Sequence, residues 1–79
     1  MSAVKPLTAL RRGGRAAVCD ISPAGESHFA KLAAFGLLPG AEVRVLQTWP
    51  ATIVAVGHTV VALDRMMAAA VLVTEEEGE

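Results

Sequence analysis

The fold of this chain is decided by one stretch of sequence, Phe35-Gly36-Leu37-Leu38-Pro39-Gly40-Ala41-Glu42-Val43-Arg44-Val45. Gly36 can adopt the left-handed conformation that ends a helix, and Pro39-Gly40 supplies the fixed φ and the positive φ of a type II turn. Beyond the turn, Val43 and Val45 alternate with charged residues, which is typical of a half-buried strand. The stretch therefore predicts the end of a helix, a tight turn and a strand in immediate succession.

Towards the N-terminus the sequence predicts a helical turn followed by a first strand. Leu7 and Leu10 have the spacing of a single helical turn, which Gly13-Gly14 ends. The first strand is predicted over Arg15–Ile21. Ala17, Cys19 and Ile21 alternate with charged residues over part of its length, but Val18 breaks the alternation, so burial of both faces of the strand is left open.

One α-helix is predicted between this strand and the deciding stretch. Phe29, Leu32 and Ala33 recur at helical spacing within 26–35, and Gly36 follows. Ser22-Pro23 suits the start of such a helix, because a serine oxygen can cap free amides and proline fits the first helical position.

Beyond Val45 the chain consists of short runs rich in Val, Ile and Thr, which predict antiparallel strands. The predicted strands cover 42–48, 52–56, 59–64 and 71–73, with turns at Trp49-Pro50 and Gly57-His58 and a single helical turn within 65–70. Residues 1–6 and 75–79 show no such pattern and are predicted to be loose ends of a core that covers about 7–74. The sequence thus predicts about five strands, with one helix after the first strand and a helical turn before the last. This set of elements predicts a single, mainly β domain, which is a small SH3-like barrel that is closed or nearly closed.

The charge distribution argues against a nucleic-acid-binding role. The chain has 7 Lys and Arg, 8 Asp and Glu and a formal net charge of −1. Only Arg11, Arg12 and Arg15 form a local basic cluster. Because nucleic-acid binding draws most of its affinity from neutralised phosphates, no nucleic-acid partner is expected.

The sequence predicts a protein of the cytosol. Cys19 is the single cysteine, so an internal disulfide is excluded and a reducing compartment is favoured. The longest uncharged stretch, 47–63, is interrupted by Pro50 and Gly57 and is shorter than the roughly 20 apolar residues of a membrane span.

Residues that could carry chemistry are few and dispersed. Cys19, His28 and His58 are the strongest candidate ligands for a transition metal, but they lack the paired spacing of a zinc site. Weak metal binding through Glu75–Glu77 is the alternative. The sequence also shows no nucleophile and base pair, no paired carboxylates and no phosphate-binding loop. It therefore predicts no enzyme, no cofactor and no specific metal site.

Several apolar residues are candidates for contact with a partner protein, each with a structural alternative. Trp49 is either a cap on the core or an exposed interface anchor. Leu37 and Leu38 are consecutive in a connection, so they cannot readily share the same burial. They either form an apolar patch with a basic rim, together with Lys31 and Phe35, or both fill the mouth of the barrel. Met66 is either a contact residue or core filling at the barrel end. The candidate partner-binding residues are Lys31, Phe35, Leu37, Leu38, Trp49 and Met66.

Three phrases of the sequence, in order, resemble the FeoA family. The first has two leucines at helical spacing, a glycine pair and a strand. The second has a basic residue and a leucine, followed by the Gly-Leu and Pro-Gly pairs. The third has a glycine and a strand, followed by an alanine-bearing turn and a last strand. They lie in 7–18, 31–40 and 57–73. The sequence departs from the family pattern at Leu63-Asp64 and at Met67, which affects contacts of that edge and leaves the fold unchanged.

The resemblance implies an SH3-like barrel that acts as an accessory protein of bacterial ferrous iron transport. Such a protein docks on the cytosolic part of the FeoB permease, is not an enzyme, and reaches the membrane only through its partner. Two other hypotheses stay open: a generic SH3-like module for another protein or for RNA, with RNA contacts through Arg11, Arg12 and Arg15, and an iron sensor. Self-association through the apolar corner is also left open.

Overall fold

The computed structural model of this chain describes residues 3–22 and 27–76. The elements, in chain order, are β1 (Val4–Pro6), a 3₁₀ turn (Leu7–Ala9), β2 (Arg15–Ile21), α1 (Phe29–Ala34), β3 (Glu42–Gln47), β4 (Thr52–Val56), β5 (Thr59–Leu63), α2 (Arg65–Ala70) and β6 (Val71–Glu75). The predicted mainly β architecture is confirmed, as are the helix after the long first strand and the helical turn before the last strand.

The strands form one antiparallel sheet in the order β1-β6-β2-β3-β4-β5. The sheet has six strands where the sequence predicted about five. It is also not closed, because β1 and β5 are edges that do not pair with each other within the described residues. Closure depends on pairing between β1 and β5, which are far apart in the sequence, and local sequence patterns do not specify such pairing.

The additional strand, β1, corrects the prediction that 1–6 is a loose end. Val4 pairs with Thr74 and Pro6 pairs with Leu72. The ammonium group of Lys5 lies 2.7 Å from the carboxylate of Glu75, so Glu75 is also part of the fold. A three-residue strand that ends in proline carries no readable alternation, and it exists because β6 offers it a free edge.

The end of α1 has the geometry that the sequence predicted. Gly36 has a φ of +89°. Its N–H donates to the carbonyl of Ala33 at 2.9 Å, and the N–H of Leu37 donates to the carbonyl of Leu32 at 3.0 Å. This pair of bonds is the Schellman motif, in which the apolar residue after the glycine packs against the last turn of the helix. Leu37 and Leu32 are both fully buried.

The helix itself is shorter than predicted. The sequence placed it over 26–35, whereas α1 begins at Phe29 after a 3₁₀ turn at Ser27 and His28. The predicted start at Ser22-Pro23 reaches into 23–26, which lies outside the described residues.

The turn at Pro39-Gly40 is the predicted type II turn. Gly40 has a φ of +95°, and the N–H of Ala41 donates to the carbonyl of Leu38 at 2.9 Å. The same corner is tied to β2, because Gly40 and Val18 are joined by a backbone bond of 2.7 Å and Val18 and Ala41 by one of 2.8 Å. The deciding stretch is therefore anchored at a fixed position on the sheet.

The core lies on the concave side of the sheet and is aliphatic. In β2 the fully buried residues are Ala16 and Val18, whereas Ala17, Cys19 and Ile21 are half-buried, so both faces of the strand are partly covered. The register against β6 shifts between Val18 and Asp20, and the resulting irregularity at Cys19 breaks the alternation. The largest fully buried side chains are Leu7, Leu32, Leu37, Val43, Val45, Val54, Leu63, Val71 and Val73.

Replacement of Asp64 by alanine should destabilise the fold through α2. The Asp64 carboxylate accepts a hydrogen bond of 2.8 Å from the N–H of Met67 and so caps this short helix. Loss of such a cap costs about 1 kcal/mol, which is about 4–8 °C in melting temperature for a domain of this size. Asp64→Ser is the matched control, because serine can cap the same amide. Equal melting temperatures for Asp64→Ala, Asp64→Ser and the wild type would contradict the role of the cap.

Among the residues that the structure describes, α1 and α2 are both far too short to cross a membrane.

Candidate functional site

The six residues predicted to bind a partner do not form one surface. Leu37 is fully buried, at 0% exposed, so it cannot contact a partner, and its place on the predicted patch is corrected. Leu38, the next residue, is 42% exposed. The two leucines therefore differ in burial, as expected for consecutive apolar residues in a connection, and neither the shared patch nor the shared filling of the barrel mouth holds for both of them. The physical reason is the Schellman motif, which turns Leu37 onto the helix and leaves Leu38 outside.

Lys31, Phe35 and Leu38 form what we call the corner surface. Lys31 is exposed on α1, and Phe35, half-buried, packs against the core at the end of the helix. Phe29, at the start of α1, is also exposed, although its helical spacing had indicated the buried face. The corner surface adjoins a shallow groove of about 780 Å³. Its lining includes Arg15, Ala34, Phe35, Glu42, Arg44, Ala55 and Thr59.

Trp49 lies at the other end of the molecule and is 80% exposed, the highest value among the described large apolar side chains. The interpretation of Trp49 as a cap on the core is therefore excluded. Its ring borders a groove of about 620 Å³ between the β3–β4 turn, the 3₁₀ turn and α2, which we call the tryptophan groove. The lining residues are Leu7, Thr8, Leu10, Val45, Thr48, Trp49, Pro50, Ala51, Thr52, Asp64, Arg65 and Ala69.

The two methionines of α2 separate into one core residue and one surface residue. Met67 is buried at the end of the core, whereas Met66 is 72% exposed. Arg65 and Ala69, one helical turn apart, line the tryptophan groove. Met66 is therefore an exposed apolar residue on the same short helix that forms one wall of this groove.

Strand β3 separates the corner surface from the tryptophan groove. Leu38 precedes the strand and Trp49 follows it. Six residues in extended conformation span about 20 Å, so the two surfaces lie at opposite ends of the sheet. A partner that occupies one of them need not touch the other.

The outer face of β2 and β3 carries the exposed charges next to the corner surface. Arg15 lies directly opposite Arg44 in the β2–β3 register. The pKa of the Glu76 carboxyl is raised above its usual value, chiefly by a hydrogen bond with the Glu42 side chain, then by partial loss of hydration and by the negative charge of Glu42. The charge of Arg15 acts in the opposite direction.

The raised pKa of Glu76 predicts a pH dependence that one substitution removes. Because the folded state holds this proton more tightly than the unfolded state, the stabilisation is present at low pH and is lost as the pH rises through the raised pKa. Glu42→Gln keeps a hydrogen-bonding side chain and removes one charge. We expect the pKa of Glu76 to fall in this variant. The free energy of unfolding of the variant, relative to that of the wild type, should therefore increase as the pH rises from about 4 to about 7.

Carbon-13 NMR titration of Glu76, with thermal unfolding at both pH values, measures these effects. Glu75→Gln is the matched control, because Glu75 pairs with Lys5 and should leave the titration of Glu76 unchanged. An unchanged Glu76 titration in Glu42→Gln would contradict the assigned cause.

The candidate metal ligands are not brought together. His28 lies at the start of α1, His58 is exposed in the β4–β5 turn, and Cys19 is half-buried in β2. The Cys19 thiol lies 3.9 Å from the carbonyl of Ala17. Within 3–22 and 27–76, no group of three or more His, Cys, Asp or Glu residues could hold a metal ion.

Comparison with known proteins identifies the architecture. The family model of the FeoA domain matches residues 5–75 of this chain. A structure described as the iron uptake regulatory protein FeoA is 31% identical to it, with a TM-score of 0.85 over 94% of this chain and 99% of that chain. No curated protein matches this chain.

Two further structures show how widely the architecture is used. FeoA from Stenotrophomonas maltophilia, described as a prokaryotic SH3 domain protein in complex with zinc, is 28% identical, with a TM-score of 0.77 over 87% of this chain and 88% of that chain. This likeness confirms the predicted SH3-like fold. A manganese-dependent transcriptional repressor is 25% identical, with a TM-score of 0.84 over 96% of this chain but only 44% of the repressor.

Proposed function

Because this chain belongs to the FeoA domain family, we propose that it is an accessory protein of ferrous iron transport that docks on the cytosolic part of the FeoB permease. In this proposal the protein is cytoplasmic and non-catalytic, and it reaches the membrane only through its partner. The likeness to an iron uptake regulatory protein over nearly the whole of both chains supports the transport role.

The observation that carries the docking proposal is Trp49. Leaving a tryptophan 80% exposed keeps a large apolar surface in water, which a folded chain tolerates at a cost. Tryptophan is also the residue type most enriched among those that dominate binding energy at protein interfaces. Its position beside a concave surface gives a partner both an anchor to enclose and a groove to enter.

The composition of the tryptophan groove supports a protein partner. Pro50, Ala51 and Ala69 supply apolar wall, while Asp64 and Arg65 supply charge. Protein interfaces combine apolar and polar surface in this way. Met66 extends the exposed apolar surface on α2, and methionine adapts well to irregular partner surfaces.

The test is calorimetric titration of this chain into the purified cytosolic region of the permease at about 50 mM and about 500 mM salt. We expect saturable binding with one site per permease region. Because the proposed anchor, Trp49, is an uncharged aromatic side chain, the dissociation constant should change by less than about tenfold between the two conditions. Absence of binding would remove the partner claim. A fall in affinity of about a thousandfold would show that charged contacts, and not the aromatic anchor, carry the binding.

A further inference from the structure

The two edges of the sheet are protected to different degrees. β1 is three residues long and contains Lys5 and Pro6, and a short strand with lysine and proline is a poor template for further pairing. β5, by contrast, is five residues long, Thr59-Val60-Val61-Ala62-Leu63, with no charge and no proline. Its outward-facing Val60 is 65% exposed. An apolar edge without these protecting residues is a ready template for pairing with another strand.

The register of the β4–β5 hairpin shows which backbone groups of β5 are free to pair. Gly57-His58 is a two-residue turn closed by the pair Val56 and Thr59. In an antiparallel ladder, hydrogen-bonded and non-hydrogen-bonded pairs alternate, so Thr59 and Val61 point their N–H and C=O towards β4. Val60 and Ala62 then point theirs away from the sheet. In the part of the chain that the structure describes, no backbone hydrogen bond from outside the hairpin reaches these two residues.

We propose that β5 pairs with β5 of a second copy of this chain, antiparallel across a two-fold axis at Val61. In this register Val60 lies opposite Ala62 of the second copy, and each of these residues exchanges its free N–H and C=O with its counterpart. The register also places Val61, which faces the core, beside Val61 of the second copy. The core-facing side of one sheet therefore continues into the core-facing side of the other.

The sequence of the edge favours a second copy as the occupant. β5 carries no charged residue, so pairing with itself brings no like charges together. His58 directly precedes β5 and Asp64 directly follows it. In this register His58 lies opposite Asp64 of the second copy, which pairs an imidazole with a carboxylate. The formal net charge of −1 also opposes association only weakly.

The outer face of the sheet adds to this self-complementarity. Leu46 and Val60 are exposed there, and Ile53 and Ala55 are partly exposed between them. Pairing at β5 joins the two apolar faces across the axis, with the methyl groups of Val60 and Ala62 in contact. A single strand pair buries little area, so we expect a weak dimer with a dissociation constant on the order of 10–100 µM.

This dimer and the proposed docking on the permease can be tested separately, although Asp64, which lies opposite His58 of the second copy, also lines the tryptophan groove. Val60 and Ala62 line neither the tryptophan groove nor the groove beside the corner surface. Failure of the dimer would leave the permease proposal standing, and failure of permease binding would leave the dimer standing.

Sedimentation velocity of the purified full chain from about 10 µM to about 1 mM tests the proposal. The wild type is expected to show a monomer–dimer equilibrium. Val60→Lys puts a charge on the exposed edge and should weaken dimerisation at least about tenfold. Val4→Lys makes the same change on β1, where the valine is also exposed, and should leave the equilibrium unchanged. A wild type that stays monomeric throughout, or equal dimerisation of Val60→Lys and wild type, would overturn the proposal.

A second measurement uses only the wild-type protein and so does not depend on the folding of a variant. In a mixture of carbon-13-labelled and unlabelled chains, isotope-filtered NMR detects contacts between copies. The expected signal joins the methyl groups of Val60 to the methyl group of Ala62 in the other copy. A dimer whose contacts between copies lie elsewhere would also overturn the proposal.

Discussion

Leu37→Ala is expected to lower the free energy of unfolding by about 2–5 kcal/mol, whereas Leu38→Ala is expected to change it by less than about 0.5 kcal/mol. Leu37 is fully buried and packs on Leu32 at the end of α1, so its truncation leaves a cavity in the core. Leu38 is exposed, and its truncation removes little contact. Two adjacent residues of the same type should therefore differ by several kcal/mol.

Urea and thermal unfolding of both variants measures this difference. At about 0.05–0.15 kcal/mol per residue, a chain of 79 residues has a total stability of about 4–12 kcal/mol, so Leu37→Ala removes a large share of it. The expected fall in melting temperature is about 10–30 °C. Leu37→Val, which deletes less volume, should give an intermediate loss and remain measurable if the alanine variant unfolds. Similar losses for Leu37→Ala and Leu38→Ala would contradict the described burial.

Trp49→Ala is expected to weaken binding to the cytosolic region of the permease by about 30-fold or more, which is about 2 kcal/mol. The physical reason is the loss of a large aromatic side chain that is already positioned in water at the edge of a groove. Because Trp49 contributes little to the core, the melting temperature of the variant should stay close to that of the wild type. Trp49→Phe, which keeps an aromatic anchor, should retain part of the affinity.

Leu38→Asp is the matched variant at the corner surface. It introduces a charge at an exposed apolar position, about one strand length from Trp49. If the tryptophan groove carries the docking, Leu38→Asp should bind within a few-fold of the wild type. Normal binding by Trp49→Ala together with loss of binding by Leu38→Asp would transfer the docking role to the corner surface.

Local sequence patterns predicted the elements whose geometry is decided locally. The positive φ at Gly36 and Gly40 and the alternation of β3 depend on residues within a few positions of each other, and all of them are observed. The 3₁₀ turn at Leu7 and the short helix before β6 follow the same rule.

The features that the sequence missed depend on distant parts of the chain. β1 exists because β6 lies beside it, and the pattern of β2 is displaced by the irregularity at Cys19, which arises from its pairing with β6. The sequence indicated that Leu37 and Leu38 differ in burial but not which of them is buried, although the residue after a helix-ending glycine commonly packs against the last helical turn.

The candidate site could be predicted from the sequence only in part, because it also depends on contacts between distant parts of the chain. The residue types identified Trp49 and Met66 as interface candidates, but their exposure is set by the packing of turns that are distant in sequence. The open edge of β5 is a property of the whole sheet, since it depends on β1 and β5 not meeting. No local pattern distinguishes such an edge from a strand at the centre of a sheet.

Docking of this FeoA-family protein on the permease through the tryptophan groove is tested most directly by an NMR titration of nitrogen-15-labelled protein with the unlabelled cytosolic region of the permease. The largest shifts are expected at the Trp49 indole and at the amides of Thr8, Ala51, Arg65 and Ala69. Shifts confined to Lys31, Phe35 and Leu38, or no shifts at saturating permease, would contradict it.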